Sequence, residues 1–350
     1  MTRPVLALDL GGTQVRAAVI LADGSRIARQ ATRTPIEQGP SAIVKACIEM
    51  LGAALAAAPA DVRPVICGIG MSTPGPIDPW SGVIVSPPNL GPDVRDIPIA
   101  ADVESALGLP AYLDRDTNVA ALGERAFGAA RGVDDFLYVT VSTGIGGAIF
   151  SAGKLLHGPD GMAGELGHVS IELDGPRCGC GGHGHLEAIS SGVALARDAR
   201  AAVARNSSPF LAARAAERGS GQVGLDQLDA RAVAEGEDAG DPACAALMLH
   251  ARRAFALACA GFVNAFNPDL IVVGGTIAER QGDRLLGPAR DEVRTAAFRV
   301  PGARVRIVPA ELGADVSLAG CQPLVDGRLD DDRWRSGRAR LEPTGGSIRP

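Results

Sequence analysis

The stretch VLALDLGGTQVRAAVIL, residues 5–21, consists of two apolar runs around a pair of glycines. Residues 5–9 are β-rich and end in Asp9, Gly11 and Gly12 make a turn, and residues 15–21 are apolar again. Runs this close pair antiparallel through a tight turn. A turn at 22–25 leads to a third strand at 26–33. Farther on, FLYVTVSTGIGGAIF at 136–150 repeats the design, with strands expected at 136–142 and 147–150 joined by a Gly-rich turn. After the first opening the pattern predicts a helix over 41–58, a strand over 65–71, a helix over 97–107, a strand over 111–114 and a helix over 117–127. After the second, Asp241-Pro242 supplies a cap and a first-turn proline for a helix to about residue 266, ahead of a buried strand at 270–273. The doubled plan predicts an α/β chain of two similar lobes with a central cleft.

Composition narrows the function. The net charge of -6 argues against a nucleic-acid partner. Run length suggests no membrane span, and the N-terminus enters a strand without a signal-peptide pattern. Seven cysteines in 350 residues do not suggest a disulfide scaffold, so a reducing cytoplasm is the expected setting. Basic residues are almost all arginine; Lys45 and Lys154 are the lysines. Residues 327–350 are polar and charged and end in Pro, Thr, Gly and Ser, which reads as a poorly ordered tail.

Both glycine turns suit phosphate. At 9–13, Gly11 and Gly12 let the backbone approach closely, Thr13 offers a hydroxyl, and Asp9 can hold Mg²⁺ directly or through water. Thr143, Gly144, Gly146 and Gly147 repeat these features. One such turn reads equally well as an ordinary hairpin; two, each opening a lobe, point to a nucleotide held from both sides. Neither is a Walker loop. Gly274 and Gly275, after a buried strand, make a third element suited to an adenosine, or a plain strand-to-helix turn.

Asp114-Arg115-Asp116-Thr117-Asn118 ends a strand and opens a helix. Phosphoryl transfer to a hydroxyl needs positioning, charge neutralisation and an Asp to take the proton. Asp116 is the candidate general base, although Asp is also common as a helix cap; Asp114 reads as a structural strand-end residue. The densest cluster is Gly164-Glu165-Leu166-Gly167-His168 followed by Cys178, Cys180, His183, His185 and Glu187. Cys and His close in sequence, with glycines for tight turns, suit tetrahedral zinc. His168, Cys178, Cys180 and His185 are the expected ligands of a structural Zn²⁺, and His183 is expected to face solvent. A folded zinc loop over 164–187 would bring Glu165, Glu187 and His168 together, where carboxylates can accept from adjacent sugar hydroxyls.

These residues, in this order, resemble the ROK family of repressors, open reading frames and sugar kinases, over roughly residues 5–324. The resemblance rests on D-x-G-G-T at 9–13, Gly75-Pro76, the S-P-P-N-L at 86–90, Asp116 and the loop at 143–147. Its most specific part is G-E-x-G-H followed by C-x-C-G-x-x-G-x-x-E. It implies an actin-like ATPase (ribonuclease H-like) fold, phosphorylation of a hexose 6-hydroxyl by ATP with Mg²⁺, and a homodimer or homotetramer. It carries sugar contacts to Asn89, Asp116, Glu165, His168 and Glu187, and a returning last helix to about 315–324. The lobes expected are 1–115 with 310–326, and 116–309.

Three positions depart from the family pattern. His185 replaces the third cysteine and keeps a competent ligand. Arg115 replaces the usual sugar-binding Asn and cannot accept a hydrogen bond, which bears on substrate identity. Gln14 stands where Lys is frequent. Glucokinase is the first expectation and an N-acetylglucosamine or N-acetylmannosamine kinase the alternative. A non-catalytic sugar sensor would not need Asp9, Asp116 and both glycine loops, and a repressor would carry a winged helix ahead of Asp9.

Overall fold

The structure is a computed structural model that describes residues 3–331. The chain forms two compact units. The first comprises the chain up to Gly132, the segment His157–Ala163 and the chain from Glu311 on; the second comprises Val133–Leu156 and Gly164–Ala310.

In the first unit, β1 (Val5–Leu10), β2 (Gln14–Ile20), β3 (Arg26–Arg33), β4 (Ile69–Thr73) and β7 (Ala111–Arg115) form a sheet of order β3-β2-β1-β4-β7; β5 (Ile77–Asp78) and β6 (Val83–Ile84) make a separate hairpin. The β3-β2-β1 pairs are antiparallel, and β1-β4 and β4-β7 are parallel. Side chains of β1 alternate between faces. Leu6, Leu8 and Leu10 join a core with Ile43, Cys47, Leu51 and Val103 from helices Pro40–Ala57 and Ile99–Leu107. Val5 and Ala7 join one with Val119, Leu318, Cys321 and Val325 from helices Asp116–Phe127 and Val316–Arg328. Burial on both faces is why β1 reads as a continuous apolar run.

The second unit repeats the plan. β8 (Phe136–Val141), β9 (Ile145–Ser151), β10 (Lys154–Leu155), β11 (Leu270–Gly274) and β12 (Arg306–Pro309) lie in the order β10-β9-β8-β11-β12, again three antiparallel strands followed by two parallel ones. The glycine turns therefore occupy the same junction in each sheet, β1 to β2 and β8 to β9. A second cluster, built from Leu195, Ala199, Leu211, Val233, Cys244 and Met248, holds helices Gly192–Ala204, Pro209–Arg218 and Ala230–Asp238 against the start of helix Pro242–Phe266.

Several boundaries differ from the sequence reading. The strand expected at 65–71 starts at Ile69, because 63–65 forms a 3-10 turn. Helix Asp116–Phe127 lies in the first unit, because Val119 and Leu122 pack with Leu318 and Cys321 of the last helix. That helix continues to Arg328, whose buried side chain bonds β7, so residues 327–328 of the tail expected at 327–350 are helical; 332–350 lies outside the described residues. Two helices, Pro40–Ala57 and Pro242–Phe266, are long and apolar enough to cross a membrane. Each lays an apolar side into a core of its unit.

Candidate active site

In the first unit the parallel strands converge at their carboxyl ends, the edge where open α/β sheets bind ligands. Asp9, Ser72 and Asp114 form one row across β1, β4 and β7. Ser72 Oγ donates to Asp9 Oδ1 at 3.1 Å, and Arg16 donates through Nε at 3.0 Å and Nη2 at 2.6 Å to Asp9 Oδ2. Arg16 is itself held by the Ala314 carbonyl at 2.9 Å and by Asp315 at 3.6 Å. Sequence reasoning missed Arg16, although it lies directly opposite Asp9 in the β1-β2 register and counting across the hairpin reaches it. With both oxygens engaged, Asp9 could meet a Mg²⁺ through the ion's water shell.

The Gly11 N–H donates to the Gln14 carbonyl at 2.9 Å, and Thr34 Oγ1 donates to the Gly11 carbonyl at 2.6 Å. Gly12 lies against the turn Pro88–Leu90: a Cβ there would come within 2.7 Å of the Asn89 carbonyl oxygen. Thus the first glycine turn and the exposed Asn89 are brought together.

At the end of β7 the chain alternates sharply in exposure. Arg115 and Thr117 are buried and Asp116 between them is exposed, in the first turn of its helix. The Thr117 N–H donates to Asp116 Oδ1 at 2.7 Å. A carboxylate suits this helix end, where the partial charge is positive. Asp114 is fully buried. Burial alone would push its carboxyl up, but Arg328, His157 and Asn118 hold it well below the usual carboxylate range. His157 Nε2 is 2.7 Å from Oδ2, and Asn118 Nδ2 donates to Oδ1 at 2.8 Å. Arg115 directs Nη2 at the Ala163 carbonyl and, at 3.4 Å, at Asn118 Oδ1.

In the second unit the turn after β8 is tighter than expected. Ser142, Thr143 and Gly144 make it, while Gly146 and Gly147 already pair with Thr140 and Val139 as β9 residues. The Ile145 N–H donates to Glu187 Oε2 at 2.9 Å, which starts the strand early. The N–H groups of Gly192 and Val193 donate to the Ser142 and Thr143 carbonyls at 2.8 and 3.1 Å, and Ser142 Oγ is 3.0 Å from Thr276 Oγ1. Gly275 packs on Thr140 and Val141. The turn and the strand-end Thr276 line a cavity of about 950 Å³, with Val193, Ile277, Arg280 and Arg284 on its walls. No motif carries these four residues, so the sequence did not single them out.

Next to this turn, His168, Cys178, Cys180 and His185 form a group whose ligating atoms all lie within 4.8 Å of one another. Cys178 Sγ is 3.6 Å from His168 Nδ1, and Cys180 Sγ is 3.2 Å from His185 Nδ1. Tetrahedral Zn²⁺ with sulfur and nitrogen ligands has edges of roughly 3.3–3.8 Å, so the residues fit the ion. Burial, with the Cys180 thiol and Glu187 carboxylate adding to it, pushes the Cys178 thiol up. His183 is exposed and outside the group. Glu187 joins the group to the second glycine turn: Oε1 is 3.9 Å from Cys178 Sγ while Oε2 takes the Ile145 N–H. On the other side, His168 Nε2 is 4.0 Å from Glu165 Oε2.

A family model described as the ROK family matches residues 5–328. The chain belongs to the ROK family. A glucokinase of Thermotoga maritima is 31% identical over 327 residues, 93% of this chain and 98% of its own length. An N-acetylmannosamine kinase of Escherichia fergusonii is 31% identical over 322 residues, 92% of this chain and 98% of its own. Among solved structures, a ROK family glucokinase from Streptomyces griseus in complex with glucose and AMPPNP superposes with a TM-score of 0.74 at 30% identity, covering 92% of this chain and 98% of that one. This ROK chain thus shares the actin-like ATPase fold, with one five-stranded sheet in each unit.

Proposed function

We propose that this ROK protein transfers the terminal phosphoryl group of ATP to the 6-hydroxyl of a hexose, with glucose as the first substrate. The observation that carries the reading is the exposed Asp116 carboxylate at the carboxyl end of β7, two strands from the glycine turn that ends β1. Two strand spacings are roughly 10 Å, which accommodates a terminal phosphoryl group on the turn and a hydroxyl beside the acid. The hydroxyl oxygen attacks the γ-phosphorus, Asp116 takes its proton, and ADP leaves. Such base assistance is typically worth ~10²–10⁴ in rate. The glycine turns supply backbone donors to the phosphates, and Gly274 and Gly275 border the adenosine in the cavity of the second unit. Mg²⁺, when bound with ATP, neutralises phosphate charge, and Asp9 is the side chain that would hold it through water.

Asn89, Arg115, Glu165, His168 and Glu187 complete the sugar site in this reading. A Zn²⁺ on His168, Cys178, Cys180 and His185 would have all four positions filled by protein, which makes it structural. Thiolate ligands and seven free cysteines suit a reducing cytoplasm. A homodimer or homotetramer belongs to the same proposal.

The E. fergusonii relative favours a second reading, phosphorylation of an N-acetylhexosamine. A coupled ADP-release assay with ATP and Mg²⁺ across neutral hexoses and N-acetylated hexosamines decides. Glucose giving the highest kcat/KM supports the first reading, and N-acetylmannosamine or N-acetylglucosamine the second. ADP release with none of them overturns both.

A further inference from the structure

The segment His157–Ala163 belongs to the first unit, and Gly164, Glu165 and His168 follow it directly in the chain. It is tied down at both ends, and both ties go to the two residues that precede Asp116. At its start, His157 Nε2 lies 2.7 Å from Asp114 Oδ2. At its end, the Ala163 carbonyl accepts from Arg115 Nη2. In between, Gly161 packs on Pro79, and the Trp80 ring lies tilted against His157 with centroids 6.0 Å apart. Trp80 is itself fixed by an Asp78 turn, with Asp78 Oδ1 accepting from the Trp80 N–H at 3.0 Å.

Asp114 is fully buried and shares its oxygens among several donors. Oδ1 takes the Arg115 N–H and Asn118 Nδ2, both at 2.8 Å; Oδ2 takes His157 and Arg328. A buried charge with this many partners has one geometry, because each donor removed leaves part of the charge unsolvated. His157 is therefore anchored to a point that cannot shift without moving the end of β7 and Asp116 with it. Arg115 spends donor capacity on the Ala163 backbone, directly before Gly164 and Glu165.

We propose that His157 is a positioning residue for the sugar: through Asp114 it fixes the strap whose continuation carries Glu165 and His168. The proposal rests on the kinase reading for its sugar-dependent consequence, but the clamp itself is testable without turnover. The chain has two tryptophans, Trp80 and Trp334. In a Trp334→Phe background, Trp80 emission reports whether the strap is docked.

In that background His157→Ala should blue- or red-shift Trp80 emission and increase its quenching by acrylamide. It should also raise the sugar KM about tenfold, the scale of one lost hydrogen bond to a buried charge. The kcat should stay within about threefold and the ATP KM unchanged, because only sugar binding is touched. His157→Gln keeps an N–H donor and should recover most of both signals; His157→Asn, too short to reach Asp114, should behave as Ala does. If Ala fails to fold, the Gln and Asn pair still separates the two cases. The proposal is overturned if Trp80 emission is unchanged in a folded His157→Ala or His157→Asn protein. A parallel rise of both KM values, or Gln no better than Asn, also overturns it. Failure of the kinase reading shows separately, as absence of sugar turnover in the unsubstituted protein.

Discussion

Arg328, the last residue of helix Val316–Arg328, donates Nη1 to the Leu113 carbonyl at 2.8 Å and Nη2 to the Asp114 carboxylate. The side chains are 5% and 0% exposed. Removing one partner of such a pair leaves the other charge buried, a loss of about 3–5 kcal/mol. Arg328→Met should lose stability on that scale in urea denaturation, toward the lower end because His157 still reaches Asp114. Adding Asp114→Asn should recover much of the loss; if Arg328→Met unfolds at the same urea midpoint, the pair contributes nothing. The pH dependence has a definite sign. Asp114 is held below its unfolded value of about 3.9, so its contribution is complete above that pH and is lost as the pH falls below it. Asp114→Asn should flatten this acid limb.

The approach of Gly12 to the Asn89 carbonyl gives a second expectation. A Cβ at 2.7 Å from a backbone oxygen has no flexible neighbour to displace, so Gly12→Ala must move the glycine turn or the Asn89 turn. Misplacement of a site by about 1 Å can cost ~10² in rate, and kcat/KM for both substrates should fall on that scale with melting little changed. Gly144→Ala meets the Glu187 carboxylate at 2.6 Å, a side chain that can yield, and should cost less. Equal losses from the two substitutions would contradict this reading of the contacts.

The two glycine turns and the four side chains of the Cys/His group were legible in the sequence because their determinants are local. Paired glycines between apolar runs state a hairpin, and two Cys and two His within eighteen positions need only tight turns to meet. The Asp116 helix was legible as a helix but was given to the other lobe, since its partner, the last helix, lies far along the chain. Arg328 and Asp114 are 214 residues apart, and neither carries a pattern that names the other. Helices Gly192–Ala204, Pro209–Arg218 and Ala230–Asp238 start at Ser191, Ser208 and Asp229, which cap them. Those caps were readable, but nothing local says that the first and third of these helices border a cavity.

Metal content tests the Cys/His group. About one equivalent of zinc per chain is expected on elemental analysis, and Cys178→Ser should lower it. Since His168 faces Glu165 and Glu187 lies between Cys178 and Ile145, stripping the ion should disturb sugar binding first. Outer-shell changes at metal sites typically cost 10–100-fold in affinity or activity, and chelation should raise the sugar KM by about that factor, more than the ATP KM. Metal-free protein with an unaltered sugar KM would remove zinc from the site.

Asp116 is both the first residue of its helix and the candidate base, and one substitution separates the two roles. Its Oδ1 accepts from the Thr117 N–H at 2.7 Å, and the amide oxygen of Asn can accept the same bond. Asn also serves helix N-termini about as well as Asp. Asp116→Asn should therefore change stability by no more than about 0.5 kcal/mol, the range of ordinary surface substitutions. An amide cannot take a proton at neutral pH, so kcat should fall by ~10²–10⁴, while the sugar still binds in calorimetry. A protein that keeps its turnover would leave the helix start as the whole role of the residue. One that loses turnover together with its fold would be separated by Asp116→Ser, which retains a side-chain oxygen acceptor at the helix start but has no base. The same fall in kcat in a folded Ser variant would assign the loss to chemistry.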